Sequence, residues 1–131
     1  MLSAAGRERE GSLDSDSIDN FPCEDLRTIN QLWLYYSNSK FGFSVQKEIY
    51  ESLGGTREYT KIVWEEFGDR VGWRKGGDWF SWSYSDRIRD YNSAPKGHLP
   101  GGYLLSAIGG VVHDILEDGI RVFSRAKACS L

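Results

Sequence analysis

The first half of the chain carries apolar residues with the period of an α-helix. After Pro22, residues Leu26, Ile29, Trp33 and Tyr36 recur at spacings of three and four, which places them on one helical face. The pattern predicts a helix that begins after the proline and stops at the Ser-Asn-Ser run that follows it.

Two shorter helices are predicted next, each with an apolar face and a glycine stop. The first starts at Ser44, a good N-cap residue, and ends at Gly54-Gly55. The second spans residues 57–67 and ends at Gly68. Their inward-facing residues are Val45, Ile49 and Leu53 in the first helix, and Tyr59, Ile62, Val63 and Phe67 in the second.

The two ends of the chain have different patterns. Residues 1–10 favour a fragment of helix, and the Ser/Asp-rich residues 11–20 predict a polar loop. A long apolar stripe predicts a C-terminal helix, with Gly109-Gly110 and Gly119 as candidate kinks or breaks. The stripe consists of Leu104, Leu105, Ile108, Val111, Val112, Ile115, Leu116, Ile120 and Phe123.

Between these helices, the segment from about Gly68 to Gly102 is predicted as one long structured loop. Its prolines and glycines exclude regular helix over residues 94–102, and residues 79–84 alternate loosely, as in a short extended piece. Long irregular segments are uncommon in compact domains and tend to carry function. The predicted fold class is therefore all-α, a single helical domain with a long irregular loop.

Composition narrows the classes of function. The 131 residues suffice for one domain, and a net charge of -3 gives no general electrostatic case for nucleic-acid binding. No apolar run is long enough to cross a bilayer. Residues 68–98 nevertheless hold six basic side chains against four acidic ones, a balance that suits a small anionic ligand.

Catalytic and metal chemistry find little support in the sequence. Cys23 and Cys129, without a secretory signal pattern, predict a reducing compartment and no disulfide, with Cys23 a small buried residue. A dyad of Cys23 with His98 or His113 has no local signature, and the spacings do not match a zinc site. We interpret His98 as a structural hydrogen-bonding residue of its loop. The alternative is an axial ligand or ring-edge contact for a metalloporphyrin.

The tryptophans are the unusual part of the composition. Trp33, Trp64 and Trp73 are predicted to be core residues, whereas the rings of residues 79–84 are candidates for exposure. Exposed rings beside cations suit a flat dicarboxylate such as a porphyrin, while a sugar site favours Asp, Asn and Gln, and a base-stacking site a continuous basic groove. The candidate rings are Trp79, Phe80, Trp82 and Tyr84.

Four motifs give the chain a family resemblance. FPCEDLRTINQLW (21–33), SKFGFSVQKEIY (39–50), FGDRVGW (67–73) and APKGHLP (94–100) resemble the genomes-uncoupled tetrapyrrole-binding family, the porphyrin-binding regulators of magnesium chelatase in cyanobacteria and plastids. The resemblance implies an all-helical cupped hand over residues 1–131, whose hydrophobic palm binds protoporphyrin IX or Mg-protoporphyrin IX.

The resemblance also implies a biological role. The chain would have no catalysis of its own and would stimulate magnesium chelatase through the large porphyrin-handling subunit of that enzyme. It would work in the cytoplasm of a cyanobacterium or in the plastid stroma, with peripheral association to the thylakoid or envelope membrane allowed. Two alternatives stay open: a bilin- or haem-binding signalling module that does not act on chelatase, and a tetrapyrrole-modifying enzyme.

Site residues follow from the motifs and from chemistry. The resemblance places Leu34, Phe41 and Phe43 in the palm, and makes residues 84–96 a mobile finger that closes on the ligand. Chemistry rather than the motifs selects the rest of the set, in which basic side chains contact the propionates. The basic side chains are Arg87, Arg89 and Lys96, and the set also includes His98 as an axial ligand or ring-edge contact.

The sequence departs from the family pattern at three points. Asn30 stands where the family more often has Asp, and the finger is more charged than usual. Relatives usually carry a further helical turn or helix before residue 1, so the chain is expected to lack a first N-terminal helix.

Overall fold

The computed structural model describes residues 15–79, 92–100 and 112–131, with the side chains of residue 15 and residues 112–118 left out. Within these ranges the regular secondary structure is helical except for one short hairpin, which confirms the all-α class. The elements are α1 (Ser15–Asp19), α2 (Cys23–Ser37), α3 (Phe43–Ser52), α4 (Lys61–Val71), β1 (Arg74–Lys75), β2 (Asp78–Trp79) and α5 (Val112–Ala128).

The longest predicted helix of the first half is confirmed as α2. It ends because Asn38 adopts the left-handed conformation at φ 55° and donates its backbone N–H to the Leu34 carbonyl, a common C-terminal cap. Ser37 Oγ also donates to the Trp33 carbonyl at 2.5 Å. The Ser-Asn-Ser run thus stops the helix, as its polar character predicted.

The prediction of a polar loop over residues 11–20 is wrong at its end, where α1 forms. Ile18 is buried and supplies the apolar anchor of this short helix, and α1 packs against α5. Arg121 of α5 forms an ion pair with Asp19 at the helix end. One buried isoleucine in a polar run is too weak a periodic signal to predict a helix from sequence.

Helix α4 begins and ends four residues later than predicted. Tyr59 precedes it and Ile62 lies on its outer face, 41% and 68% exposed, so both were wrongly predicted to point inward. The buried stripe is set instead by Trp64, which recurs with Phe67, Gly68 and Val71. The helix ends at Gly72, where φ is +79° and the N–H bonds to the Gly68 carbonyl.

A hairpin occupies part of the segment that was predicted as one long loop. Strands β1 and β2 pair antiparallel, with Arg74 opposite Trp79. Gly76 and Gly77 form the two-residue turn at φ +62° and +87°, values that two-residue hairpin turns require and glycine tolerates. Extended structure therefore begins at Arg74, before the predicted extended piece at residues 79–84.

The core is aromatic and joins α3, α4 and α5. The Trp64 ring stacks on Phe67 at 5.3 Å between centroids, and Tyr50 packs on Phe123 at 5.2 Å. Trp64 and Trp73 are buried as predicted, whereas Trp33 is only partly buried. Helix α5 continues without a break through Gly119, where a Cβ would overlap the Trp64 ring. That glycine serves close packing rather than a kink.

The two ends of the described chain are covalently joined. Cys23 and Cys129 form a disulfide with an S–S distance of 2.01 Å, so the prediction of unbridged cysteines is wrong. The start of α2 lies beside the end of α5, and this packing brings the two Cα atoms to 5.2 Å, within the range that a disulfide spans. Residues 106 positions apart give no sequence signal of such proximity.

Candidate ligand-binding site

Residues 92–100, here called the strap, are pinned to the junction between α2 and α3. The Gly42 N–H donates to the Leu99 carbonyl at 3.0 Å, and the Gly97 N–H donates to the Lys40 carbonyl at 2.9 Å. The strap is irregular, as its prolines and glycines predicted. These two bonds hold residues 97–99 of the strap against residues 40–42.

A buried glutamine holds the same part of the strap. Gln46 is fully buried on α3, and its Nε2 donates to the carbonyls of Gly97 at 3.0 Å and Pro100 at 2.7 Å. Both amide hydrogens are thus used, which is what burial of a polar group demands. Sequence reasoning missed this residue, although its place on the inward face of a helix pattern was a usable signal.

His98 is held by one hydrogen bond to its ring and one to its backbone carbonyl. Its Nδ1 lies 2.7 Å from the Val71 carbonyl, and because a carbonyl only accepts, Nδ1 carries the proton. Its own carbonyl accepts from Trp73 Nε1 at 2.8 Å. Burial lowers the pKa of His98, and Lys40 lowers it further against the raising effect of the Val71 bond. The structural hydrogen bond predicted for His98 is confirmed, while its contact to a metalloporphyrin stays a prediction.

Two glycines allow the strap to approach the helices this closely. A Cβ on Gly72 would lie 2.9 Å from Pro95 Cγ, and a Cβ on Gly97 would lie 2.7 Å from Ile49 Cδ1. Both glycines also have φ near +80°, where a side chain is strained. The strap therefore packs so closely against the helices that only glycine fits at positions 72 and 97.

Asn30 orders the start of α3 from the neighbouring helix. Its Oδ1 accepts the Ser44 N–H at 3.0 Å, and its Nδ2 donates to Ser44 Oγ at 3.1 Å. Gly42, not Ser44, is the N-cap residue, with no side-chain cap bond of its own. The predicted cap at Ser44 is therefore wrong, because a side chain distant in sequence satisfies the helix N–H instead.

The predicted palm residues divide between the junction and the core. Leu34 lies against Gly42, and Phe41 meets Trp33 edge-on with ring centroids 6.5 Å apart. Phe43 is fully buried in the aromatic core, so a ligand would reach its ring only if neighbouring side chains moved. Phe41 is itself only 5% exposed, so the contacts of all three residues to a ligand stay predictions.

Two lysines carry positive charge at this place. Lys96 is exposed on the strap. Lys40, which the sequence prediction did not include, donates its Nζ to the Asn92 carbonyl at 3.0 Å and lies 5.4 Å from the centroid of the Phe41 ring. The arrangement puts a cation over an aromatic ring beside the start of the strap.

Trp79 is the one predicted exposed ring inside the described ranges. It stacks on Trp64 at 6.1 Å and is 36% exposed, so one face is packed and the rest is accessible. A Cβ on Gly68 would overlap the Trp79 ring. Gly68 lies about one helical turn before Gly72, where the strap contacts α4. The other predicted contacts lie outside the described residues; they are Phe80, Trp82, Tyr84, Arg87 and Arg89.

A cavity of about 750 Å³ lies elsewhere, between the end of α3, the α3–α4 connection and α5. Tyr50 and Phe123 are among its aromatic lining residues, and Arg57 and Lys127 are among its charged ones. Of the predicted ligand contacts that fall within the described ranges, none lines it. Among the described residues, no His, Cys, Asp and Glu side chains cluster as metal ligands, and no helix is long and apolar enough to span a membrane.

Known proteins resemble this chain in sequence. The profile of the family described as GUN4-like matches residues 1–111. A Ycf53-like protein from Synechocystis is 37% identical over 84% of this chain, and a protein named tetrapyrrole-binding protein from the chloroplast of Arabidopsis thaliana is 29% identical over 76% of it. The chain spans 42% and 38% of the lengths of these two relatives.

A solved structure shares the fold. The ligand-free structure of Arabidopsis thaliana GUN4 superimposes with a TM-score of 0.62, covering 91% of this chain and 76% of that one at 23% identity. At this identity the likeness concerns the fold, and the all-helical architecture agrees with the described elements. With the profile match over most of its residues, the chain belongs to the GUN4-like family.

Proposed function

We propose that this chain binds a tetrapyrrole where the strap meets the α2–α3 junction. The observation that carries the proposal is the pinned strap, because an irregular segment held by buried side chains is a preorganised wall. The strap carries Lys96 and is bonded to Lys40 and Gly42, on either side of Phe41, without needing order from the ligand. Membership of the family and the printed name of the Arabidopsis relative favour a tetrapyrrole as the occupant.

The chemistry of this place matches a flat, acidic macrocycle. Apolar burial of the ring contributes ~25 cal/mol per Å² removed from water. Charge-assisted hydrogen bonds from basic side chains orient the propionates. Lys40 and Lys96 offer such charge on the described part, and we propose the same role for Arg87 and Arg89.

The direct test is a titration with protoporphyrin IX, Mg-protoporphyrin IX, haem and a bilin. We expect a shifted Soret band and quenched tryptophan fluorescence, because Trp73 is bonded to His98 of the strap, with the two porphyrins bound most tightly. Absence of both signals at micromolar pigment contradicts the proposal. Tighter binding of bilin or haem supports the signalling alternative, and chemically altered pigment supports the enzyme alternative.

The proposed propionate contacts can be tested with a matched pair of double variants. Arg87→Ala with Arg89→Ala is expected to weaken porphyrin binding while the helical content stays the same. Arg57→Ala with Arg70→Ala removes equal charge from exposed positions outside the strap and should leave the affinity unchanged. Equal affinities for the two double variants would exclude Arg87 and Arg89 as propionate contacts.

We further propose that the chain stimulates magnesium insertion into protoporphyrin through the large subunit of magnesium chelatase, without catalysis of its own. The resemblance of the four motifs supports this role. The test is the rate of magnesium insertion by purified chelatase with and without the chain. An unchanged rate in the presence of a chain that binds porphyrin would separate tetrapyrrole binding from chelatase activation.

A further inference from the structure

The outer face of α2 is an exposed apolar surface separate from the strap. Leu32, Tyr35 and Tyr36 are 53%, 79% and 81% exposed. A groove of about 490 Å³ runs along this face, and among the described residues its lining comes from α2 alone. The lining residues are Glu24, Arg27, Thr28, Gln31, Leu32 and Tyr35.

The groove residues form a straight stripe. Glu24, Thr28, Gln31 and Tyr35 follow one another at spacings of four, three and four, which keeps them on one side of the helix. A stripe with this spacing is the surface that two helices use when they pack nearly parallel or antiparallel to each other.

The stripe is complementary to itself when reversed. A two-fold axis crossing the helix between positions 29 and 30 would bring Glu24 of one copy opposite Tyr35 of the other, where the phenol can donate to the carboxylate. The same axis sets Thr28 opposite Gln31. The Thr28 hydroxyl already donates to the Glu24 carbonyl at 3.0 Å, so its oxygen is left to accept from the Gln31 amide.

The third pair sets Leu32 on the aliphatic stem of Arg27. Long basic side chains cover apolar surface in this way while the charged end stays in water. Arg27 is already ordered, because its Nε donates to the Cys129 carbonyl at 3.0 Å. Tyr35 and Tyr36 meet edge-on at 5.0 Å. Side chains ordered before contact reduce the entropy cost of association.

We propose that the chain self-associates through this face, with α2 packed antiparallel against α2 of a second copy. Each of the three pairs joins chemically matched groups, which favours a second copy over an unrelated partner. A contact made by one helix from each side is small, so the dimer is weak and depends on concentration. The proposal does not rest on tetrapyrrole binding.

Sedimentation equilibrium of the protein without pigment tests the pairing. Wild type should show a mass that rises towards the dimer with concentration. Glu24→Lys and Tyr35→Glu should each weaken self-association by at least ~10-fold, because each replaces two matched contacts by mismatched or like-charged ones. An equimolar mixture of the two variants should dimerise again. The introduced lysine of one then faces the introduced glutamate of the other, and the remaining contact is native.

Matched controls use the same changes outside α2. Glu58→Lys and Tyr59→Glu alter exposed residues before α4 and should sediment as wild type, alone and mixed. Leu32→Arg, which sets two cations opposite each other, should also give a monomer. A wild type that stays monomeric at its solubility limit, variants that dimerise unchanged, or a mixture that stays monomeric would each overturn the proposal.

Discussion

At the scale of single residues, two buried amides organise the strap and the α2–α3 junction. Asn30 joins α2 to the start of α3 and Gln46 joins α3 to the strap, and each uses its donors on a group distant in sequence. A buried polar side chain is costly when unpaired. These residues therefore specify one arrangement of helix and strap rather than merely filling space.

Removing the Gln46 side chain should loosen the strap. Gln46→Ala leaves two buried carbonyls without their donor, and we expect a loss of about 1–3 kcal/mol in the free energy of unfolding. Gln31→Ala, on the exposed face of α2, is the matched control and should cost much less. Urea denaturation of both variants measures the difference, and equal losses would show that the two bonds contribute little.

His98 should make stability depend on pH. Its pKa is lowered from 6.5 in the folded chain, chiefly by burial, so the unfolded chain binds more protons below that value. Stability should therefore fall as the pH drops through about 6.5 and level off below the folded pKa. Denaturation midpoints between neutral and mildly acidic pH measure this fall.

The matched variant for this effect is His98→Asn, which keeps an amide donor but does not titrate. It should lose less stability than wild type over the same interval, although it starts from a lower value. Carboxylates titrate alike in both proteins, so the difference between the two slopes isolates His98. Parallel slopes would mean that the pKa of His98 is the same in the folded and unfolded chains.

At this scale, sequence reasoning predicted some residue roles correctly and missed others. It identified His98 as a structural residue and Trp64 and Trp73 as core, because burial of large rings follows from helical spacing and neighbouring glycines. It did not find Gln46, Asn30 or Lys40. Their roles come from partners between 14 and 54 positions away, and periodicity contains no information about such pairs.

At the scale of elements, the strap depends on close approach to the end of α4. Gly72 combines φ +79° with a contact that leaves no room for a Cβ beside Pro95. Gly76, in the hairpin turn, has φ +62° and nothing within 4 Å of the added Cβ. A substitution at Gly76 therefore tests backbone strain alone, whereas a substitution at Gly72 tests backbone strain and steric overlap together.

Gly72→Ala and Gly76→Ala are expected to differ in consequence. Gly76→Ala should cost about 1–2 kcal/mol through backbone strain alone. Gly72→Ala should cost more, since Pro95 and His98 must also move, and should weaken porphyrin binding. Thermal unfolding and porphyrin titration of both proteins measure this. If Gly72→Ala behaves like Gly76→Ala in both assays, the close approach is not what positions the strap.

Element prediction succeeded where the apolar period was strong. Helix α2 and most of α3 follow from spacing and stop signals, whereas α4 overlaps its predicted range but runs through the predicted stop at Gly68 to Gly72. The shift of α4 arose because Tyr59 and Ile62 fit the period but lie outside the stripe that Trp64 sets. The hairpin was missed because two-residue strands carry almost no alternation, although the glycine pair is a typical turn signal.

At the scale of the whole molecule, the start of α2 and the end of α5 are joined by the disulfide. Around the disulfide, Arg125 Nε donates to the Phe21 carbonyl at 2.9 Å and Lys47 Nζ to the Leu131 carbonyl at 2.6 Å. The bridge closes a loop between residues 106 positions apart. A loop of that length restricts the unfolded chain strongly.

Reduction of the bridge should lower the free energy of unfolding by about 2–5 kcal/mol. Urea denaturation with and without dithiothreitol measures the loss. The double variant Cys23→Ser, Cys129→Ser should match the reduced wild type and show no response to the reductant. Equal midpoints for wild type in both conditions, with two thiols titratable in the native protein, would contradict the bridge.

The fold class and the family were accessible from sequence, but the joined ends were not. Helical period and four motifs are local signals, whereas the disulfide and the pinned strap are properties of packing. The same holds for the site. Leu34, Phe41 and Lys96 were predicted from motifs and charge and stay predictions, and only the packed chain shows that the strap is bonded to Lys40 and Gly42, on either side of Phe41.

The central claim is that the ligand binds at the strap and the α2–α3 junction. Hydrogen exchange with and without Mg-protoporphyrin IX tests it most directly, because the Gly42 and Gly97 amides bond across that contact. We predict added protection at residues 40–43 and 97–99 and no change along the walls of the 750 Å³ cavity. Protection confined to residues 55–57 and 124–128 would contradict the account.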